Sequence, residues 1–199
     1  MRLNEDDICC NRRPLDLLRR VNAVNLKFGK DFVVQRTLQK YREAWCAAIF
    51  GLGYERKCNK EVRIHMVPDR EQWPDFVFTE GTRERNFEVS VRWGLGRKVH
   101  AEYKQDVMRE GDPTPERQAA VELINQTVIE KTEKHYPPGA SLLIYANIWT
   151  EDLAVDALKH TAQQIRHDFE EIWILLASVP VKICEITGKH SATWFEVMR

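Results

Sequence analysis

The stretch WPDFVFTEGTRERNFEVSV, residues 73 to 91, limits the possible folds more than any other part of the chain. Two short runs, DFVFT and NFEVSV, flank a polar turn containing Gly81, and both are rich in the β-branched and aromatic residues that suit a pleated surface. The pattern predicts two neighbouring strands. A third run, VRIHMV at 62 to 67, precedes them behind a loop punctuated by Pro68 and Pro74, so three extended segments follow one another. Each of the later two carries a carboxylate: Asp75 opens one, and Glu88 sits mid-run in the other, where a sheet favours an apolar residue. Such a pair is either a surface accident or the oxygen half of a metal site.

Helical patterns surround these strands. PLDLLRRVNAVNLKF, from Pro14 to about Phe28, is basic and leucine-bearing, with Pro14 at a permitted first-turn position. A second helix is predicted from Asp31 to Phe50, because Val34, Leu38, Tyr41, Trp45 and Ile49 recur at three- and four-residue steps and Gly51 and Gly53 can close it. PTPERQAAVELINQTVIEKTEKHY predicts a long helix capped at Thr114 and stopped by Pro137, Pro138 and Gly139. SLLIYANIW then reads as a buried strand, EDLAVDALKHTAQQIRH as a helix, and EIWILLA and VKICEIT as further strands. Helices, three strands, helix, strand, helix and strands in this order predict an α/β fold with a central mixed sheet. The 199 residues suit one domain, and no linker divides them.

The 30 basic and 30 acidic residues cancel, so any basic footprint must be local. Five cysteines without CxxC spacing argue against a disulfide framework or a zinc ribbon and fit a reducing compartment. No stretch has the length and apolarity of a membrane span, and the N-terminus lacks the apolar core of a signal peptide. A cytoplasmic protein without membrane partners is expected.

Alternation along the third strand puts Phe87, Val89 and Val91 on one face and Glu88, Ser90 and Arg92 on the other. If Phe76 and Phe78 face the same layer as Phe87 and Val89, Asp75 and Glu88 share the opposite side. Two carboxylates form a hard oxygen site suited to Mg²⁺ or Mn²⁺, which could neutralise charge developing on a phosphodiester.

Pro74 and Asp75, followed by Glu88 and Ser90 at the E-x-S spacing within this order of elements, resemble the PD-(D/E)XK nuclease superfamily, the restriction-endonuclease-like fold. The resemblance covers roughly residues 31 to 149. It implies an α-β-β-β-α-β core in which the aspartate and glutamate bind divalent metal and a lysine assists hydrolysis of nucleic acid, DNA before RNA. Ser90 stands where the family usually carries that lysine. The resemblance allows the lysine to move to the following helix, and Lys131 qualifies, projecting within about 20° and 60° of Ile124 and Val128 at 100° per residue. It also points to a glutamate on the first core helix, for which Glu43 is the candidate. Glu43 lies about 160° from Trp45 around that helix, however, which predicts a solvated position unless that face lines a cleft.

Arg92 shares the Glu88 face and could hold a phosphate, and Arg97, Lys98 and Lys104, with His100, form a basic cluster that could contact a nucleic-acid backbone. Asp69, in a second Pro-Asp pair, is the weaker alternative to Asp75. Three functions are compatible with these residues: a metal-dependent nuclease, a degenerate nuclease-like module that binds nucleic acid or protein, and a structural interaction protein with solvated carboxylates. A homodimer is the oligomer to test.

Overall fold

The structure is a computed structural model, and it describes residues 5–71, 73–93, 113–147, 158, 164–165, 167–187 and 193–197. The expected helix over 151–167 and the cluster of Arg97, Lys98, His100 and Lys104 lie outside, or almost wholly outside, the described residues. The chain is α/β. Among the described residues, seven strands follow one another in a single mixed sheet, in the order β1 to β7: Val62–Met66, Phe76–Glu80, Arg83–Trp93, Ala140–Asn147, Glu171–Leu176, Lys182–Glu185 and Phe195–Glu196. Two compact units are present, Met1–Val89 and Ser90–Arg199, and β3 runs through the boundary. Among the described residues no helix is long and apolar enough to cross a membrane.

In the first unit, helix α1 spans Pro14–Phe28, the short α2 spans Asp31–Val34 and α3 spans Gln39–Cys58. Pro14 opens α1, Asp16 and Lys27 complement its two ends, and Gly29 stops it at a φ of 54°. The single helix predicted over 31 to 50 is broken at Gln35, whose extended backbone separates α2 from a 3₁₀ turn at Arg36–Leu38. Arg42 bridges the break by donating to the carbonyls of Phe32 and Gln35 at 2.9 and 2.8 Å.

Nor do Gly51 and Gly53 end α3. The helix continues to Cys58 and stops at Asn59 in the left-handed conformation, φ 53°. Gly51 serves packing instead: a Cβ there would stand 2.7 Å from Pro14 Cγ and 2.8 Å from Ile64 Cδ1, so its absence lets α1 and β1 approach α3 closely. With Ala44, Ala47, Ala48 and Ile49 all buried, α3 is covered on more than one side.

Strands β1, β2 and β3 form an antiparallel meander, with Ile64 opposite Phe78 and Phe76 opposite Phe87. Their buried face is aromatic. Phe50 of α3 lies 5.3 Å from Phe78 and 5.2 Å from Phe87 between ring centroids, and the Phe76 and Phe87 rings stack at 4.9 Å.

In the second unit, helix α4, Pro113–Thr132, begins one residue before the expected Thr114 cap and ends before the expected Tyr136. The chain tightens after Thr132, and His135 adopts a φ of 51°. Strands β4 and β5 pair in parallel, as near-continuous apolar runs often do, while β5–β6 and β6–β7 are antiparallel.

Candidate functional site

Asp75 sits one residue ahead of β2, where the β2–β3 ladder runs out. Its backbone N–H donates to the Phe87 carbonyl at 3.0 Å, and its carboxylate Oδ2 accepts the Val89 N–H at 2.7 Å. Asp75 is therefore bonded to the residues on either side of Glu88. This arrangement has a local cause in the sequence: Pro74 has no backbone N–H, which leaves Asp75 as the first residue able to donate to β3.

The other members of the site come from the first turn of α3. Lys40 is 3% exposed, and its Nζ stands 3.1 Å from Glu43 Oε2 and 3.6 Å from both Asp75 Oδ1 and Asp69 Oδ1. Gln39 Nε2 donates to the other Glu43 oxygen at 2.9 Å. One buried ammonium is thus surrounded by carboxylates from a helix, a loop and a strand start. Arg42 also lies within electrostatic reach of Glu43, although its guanidinium is committed to backbone carbonyls.

The charge balance is uneven, and the titration of Asp75 reflects it. Burial, then the negative charges of Glu43 and Glu88, raise its pKa from 3.8 to about 7, against the opposing pull of the Val89 N–H and Lys40. Burial alone would depress the Lys40 ammonium, but Glu43, Asp75 and Asp69 outweigh it and hold its pKa above the ordinary value. Lys40 is consequently charged throughout the neutral range and cannot serve as a base. Burial, followed by the Glu43 charge, pushes the Cys46 thiol up, so it stays protonated and is no nucleophile.

The expected site residues fare differently. Asp75 and Glu88 are close enough for one charge to raise the other's pKa, and both are half-buried. Glu43 corrects the sequence reading, being 6% exposed instead of solvated, because the α3 face opposite Trp45 is covered too and Trp45 itself is only half-buried. Asp69 reaches Lys40 from an exposed loop. Ser90 is buried. Lys131 and Arg92 belong to the second unit, where Lys131 is half-buried on α4 and Arg92 pairs with Glu130.

Sequence reasoning missed Lys40. Its signal was present, since Lys40 precedes Glu43 by three residues and shares a line of α3 with Ala44, Ala47 and Gly51. A lysine on the small-residue line of a helix is placed where close packing must bury it.

The donor set of Asp75 and Glu88, with Glu43 beside them, has the hard oxygen chemistry that suits Mg²⁺ or Mn²⁺. Among the described residues, no three His, Cys, Asp or Glu side chains are already arranged to hold a metal ion. In comparisons with family models, curated proteins and solved structures, nothing matched this chain.

Proposed function

We propose that this chain is a metal-dependent nuclease of the restriction-endonuclease-like kind, a cytoplasmic hydrolase of phosphodiester bonds in DNA or, failing that, RNA. One observation carries the reading: Asp75 is driven to a pKa of about 7 by burial and by Glu43 and Glu88, in contact with the buried ammonium of Lys40. Functional sites are where burial and like-charge pairs are arranged to shift pKa values, and the Asp75 cluster combines both. The order α3, β1, β2, β3, α4, β4 supports it as well, being that of the α-β-β-β-α-β core.

In this reading Asp75 and Glu88 hold Mg²⁺ or Mn²⁺, and the ion supplies Lewis acidity for the charge that develops on the phosphodiester. Lys40 takes the part of the lysine that Ser90 replaces. We assign it this part ahead of Lys131 because its Nζ stands 3.6 Å from Asp75 within one compact unit. Being protonated, it orients Asp75 and offsets negative charge, and it leaves proton abstraction to other groups. Arg92, and beyond the described residues Arg97, Lys98 and Lys104, would meet phosphates, and a homodimer would present two such sites.

The test is cleavage of plasmid DNA and of RNA by the purified chain with Mg²⁺ or Mn²⁺. Asp75→Ala and Glu88→Ala should each abolish it; cleavage that survives in both variants removes the mechanism. Mn²⁺ should raise the melting temperature more at pH 8 than at pH 6, because Asp75 must ionise to bind it.

A second reading is favoured by the same ammonium. If Lys40 permanently occupies the charge position that a cation would fill, the site is a degenerate, nucleic-acid-binding one. Binding without turnover, and a melting temperature indifferent to Mn²⁺, would select it.

A further inference from the structure

We propose that the outer face of α1 is a docking surface for the phosphate backbone of a nucleic acid. The choice of polyanion rests on the proposed nuclease function, and the docking itself needs no catalysis.

The charge of this chain is neutral overall but unevenly distributed: residues 12 to 36 hold seven Lys or Arg, Arg36 included, and only two Asp. Helix α1 turns Pro14, Leu17, Leu18 and Val21 inward and leaves Arg19, Arg20 and Lys27 exposed. Arg13, at the N-cap, Arg20 and Lys27 are seven residues apart, so they fall within about 20° of a single line, at steps of about 10 Å. Arg13 pairs with an exposed glutamate, Glu61, and Arg19 stands 3.6 Å from Asp16. Arg20 and Lys27 make no ion pair among the described residues, and the Lys27 ammonium lies 5.4 Å from the Phe28 ring centroid. A line of exposed cations is complementary to a line of phosphates, and its attraction comes from the release of counterions, which needs no burial of apolar surface.

An acidic membrane surface fits less well. A helix that lies in a membrane interface needs a free apolar face to insert, whereas the apolar face of α1 is buried within its own unit. The exposed Leu15 and Leu26 are eleven residues apart, about 16 Å along the axis, and form no continuous band.

The experiment is fluorescence anisotropy with labelled 30-nucleotide single- and double-stranded DNA and RNA, in EDTA, from 50 to 200 mM salt. Three phosphate contacts predict that affinity for duplex falls about 40-fold over this range. Arg20→Glu combined with Lys27→Glu should lower the salt slope by about two and weaken binding at least about ten-fold at 100 mM salt. Arg20→Gln with Lys27→Gln, a milder change at the same exposed positions, should lower the slope equally. Unchanged affinity and slope in both variants would overturn the proposal, as would capture of the parent chain by phosphatidylserine vesicles with no oligonucleotide binding. Because EDTA removes divalent cations, lost binding in these variants reports on α1 alone. Intact binding without cleavage in Mn²⁺ would instead count against the catalytic reading and leave this one standing.

Discussion

The strand Phe76–Glu80 is flanked by two charged clusters, and they are built on opposite principles. At its end, Glu80 is shared by Arg85, Lys60 and Tyr54: Arg85 and the Tyr54 hydroxyl each donate at 2.7 Å, and Lys60 also pairs with it. Arg85 is buried with its guanidinium 4.8 Å from the Tyr54 ring centroid and 4.9 Å from that of Phe78. Ahead of the strand's start, Asp75 shares one ammonium with Glu43 and Asp69 while Glu88 adds a further negative charge. Two cations serve one carboxylate in the first cluster; in the second, one cation in direct contact serves three. The Glu80 pKa is accordingly lowered, its hydrogen bonds and cations overcoming desolvation, and that of Asp75 is raised. Both clusters tie α3 to the sheet, yet only in the second does repulsion between carboxylates help to raise a pKa. That repulsion marks it as the place to look for chemistry.

The two clusters should differ most sharply at their buried cations. Lys40→Met leaves the buried Glu43 and the half-buried Asp75 without their ammonium, and should destabilise the chain by about 3–5 kcal/mol at pH 8, measured by urea unfolding. The loss should shrink at pH 5, where Asp75 is protonated. Arg85→Met removes a buried cation as well, but Glu80 keeps Lys60 and Tyr54, so about 2–3 kcal/mol is expected, much of it from lost stacking on the aromatic rings. Equal losses at pH 8 would mean that the charge imbalance at Asp75 is already relieved by other groups.

How far these clusters were legible in sequence depends on the period of the element carrying them. Along β3 the two-residue alternation was read correctly for Phe87 and Val89, and the same parity puts Arg85 on the buried face, a cation in the core that the alternation itself announces. Helix α3 was harder. Taking Trp45 as the centre of a single apolar stripe assigns Glu43 to solvent, but a helix covered on more than one side has no single buried direction. The run of Ala44, Ala47, Ala48 and Gly51 is the signal of that double covering. The order of helices and strands was legible because it depends on local periodicity. The ammonium of Lys40 meeting Asp75, 35 residues further along, depends on tertiary packing, which no local pattern records.

Titration should sharpen the contrast with opposite signs. Asp75 keeps its proton to about pH 7 when folded, whereas unfolded it would lose it near 3.8. The folded state therefore binds the extra proton between these values, and the contribution of Asp75 to stability falls as pH rises from about 4 to 7. Glu80 has a depressed pKa when folded, so its contribution is present above the unfolded value of 4.5 and is lost as pH falls through the folded one. Asp75→Asn should raise stability at pH 8 by on the order of 1–3 kcal/mol and flatten the decline of melting temperature between pH 4 and 7. Glu80→Gln should lower stability at pH 8, and by less at pH 3. Two variants with the same sign at pH 8 would show that the clusters do not differ in kind.

The smallest effect is expected at Lys60. Its side chain is 58% exposed, and Glu80 retains the Arg85 guanidinium when Lys60 is removed. Lys60→Met should therefore cost less than about 1 kcal/mol and should be nearly silent in about 0.5 M salt, where screening already weakens an exposed pair. Set against Lys40→Met, it replaces a lysine by the same residue at a carboxylate tied to the same strand, so the two experiments differ mainly in burial and in the number of cations left behind. A loss at Lys60 approaching that at Lys40 would mean that Glu80 depends on both of its cations. Glu80 would then be as short of positive charge as Asp75, and the reason for treating the Asp75 cluster as the functional one would disappear.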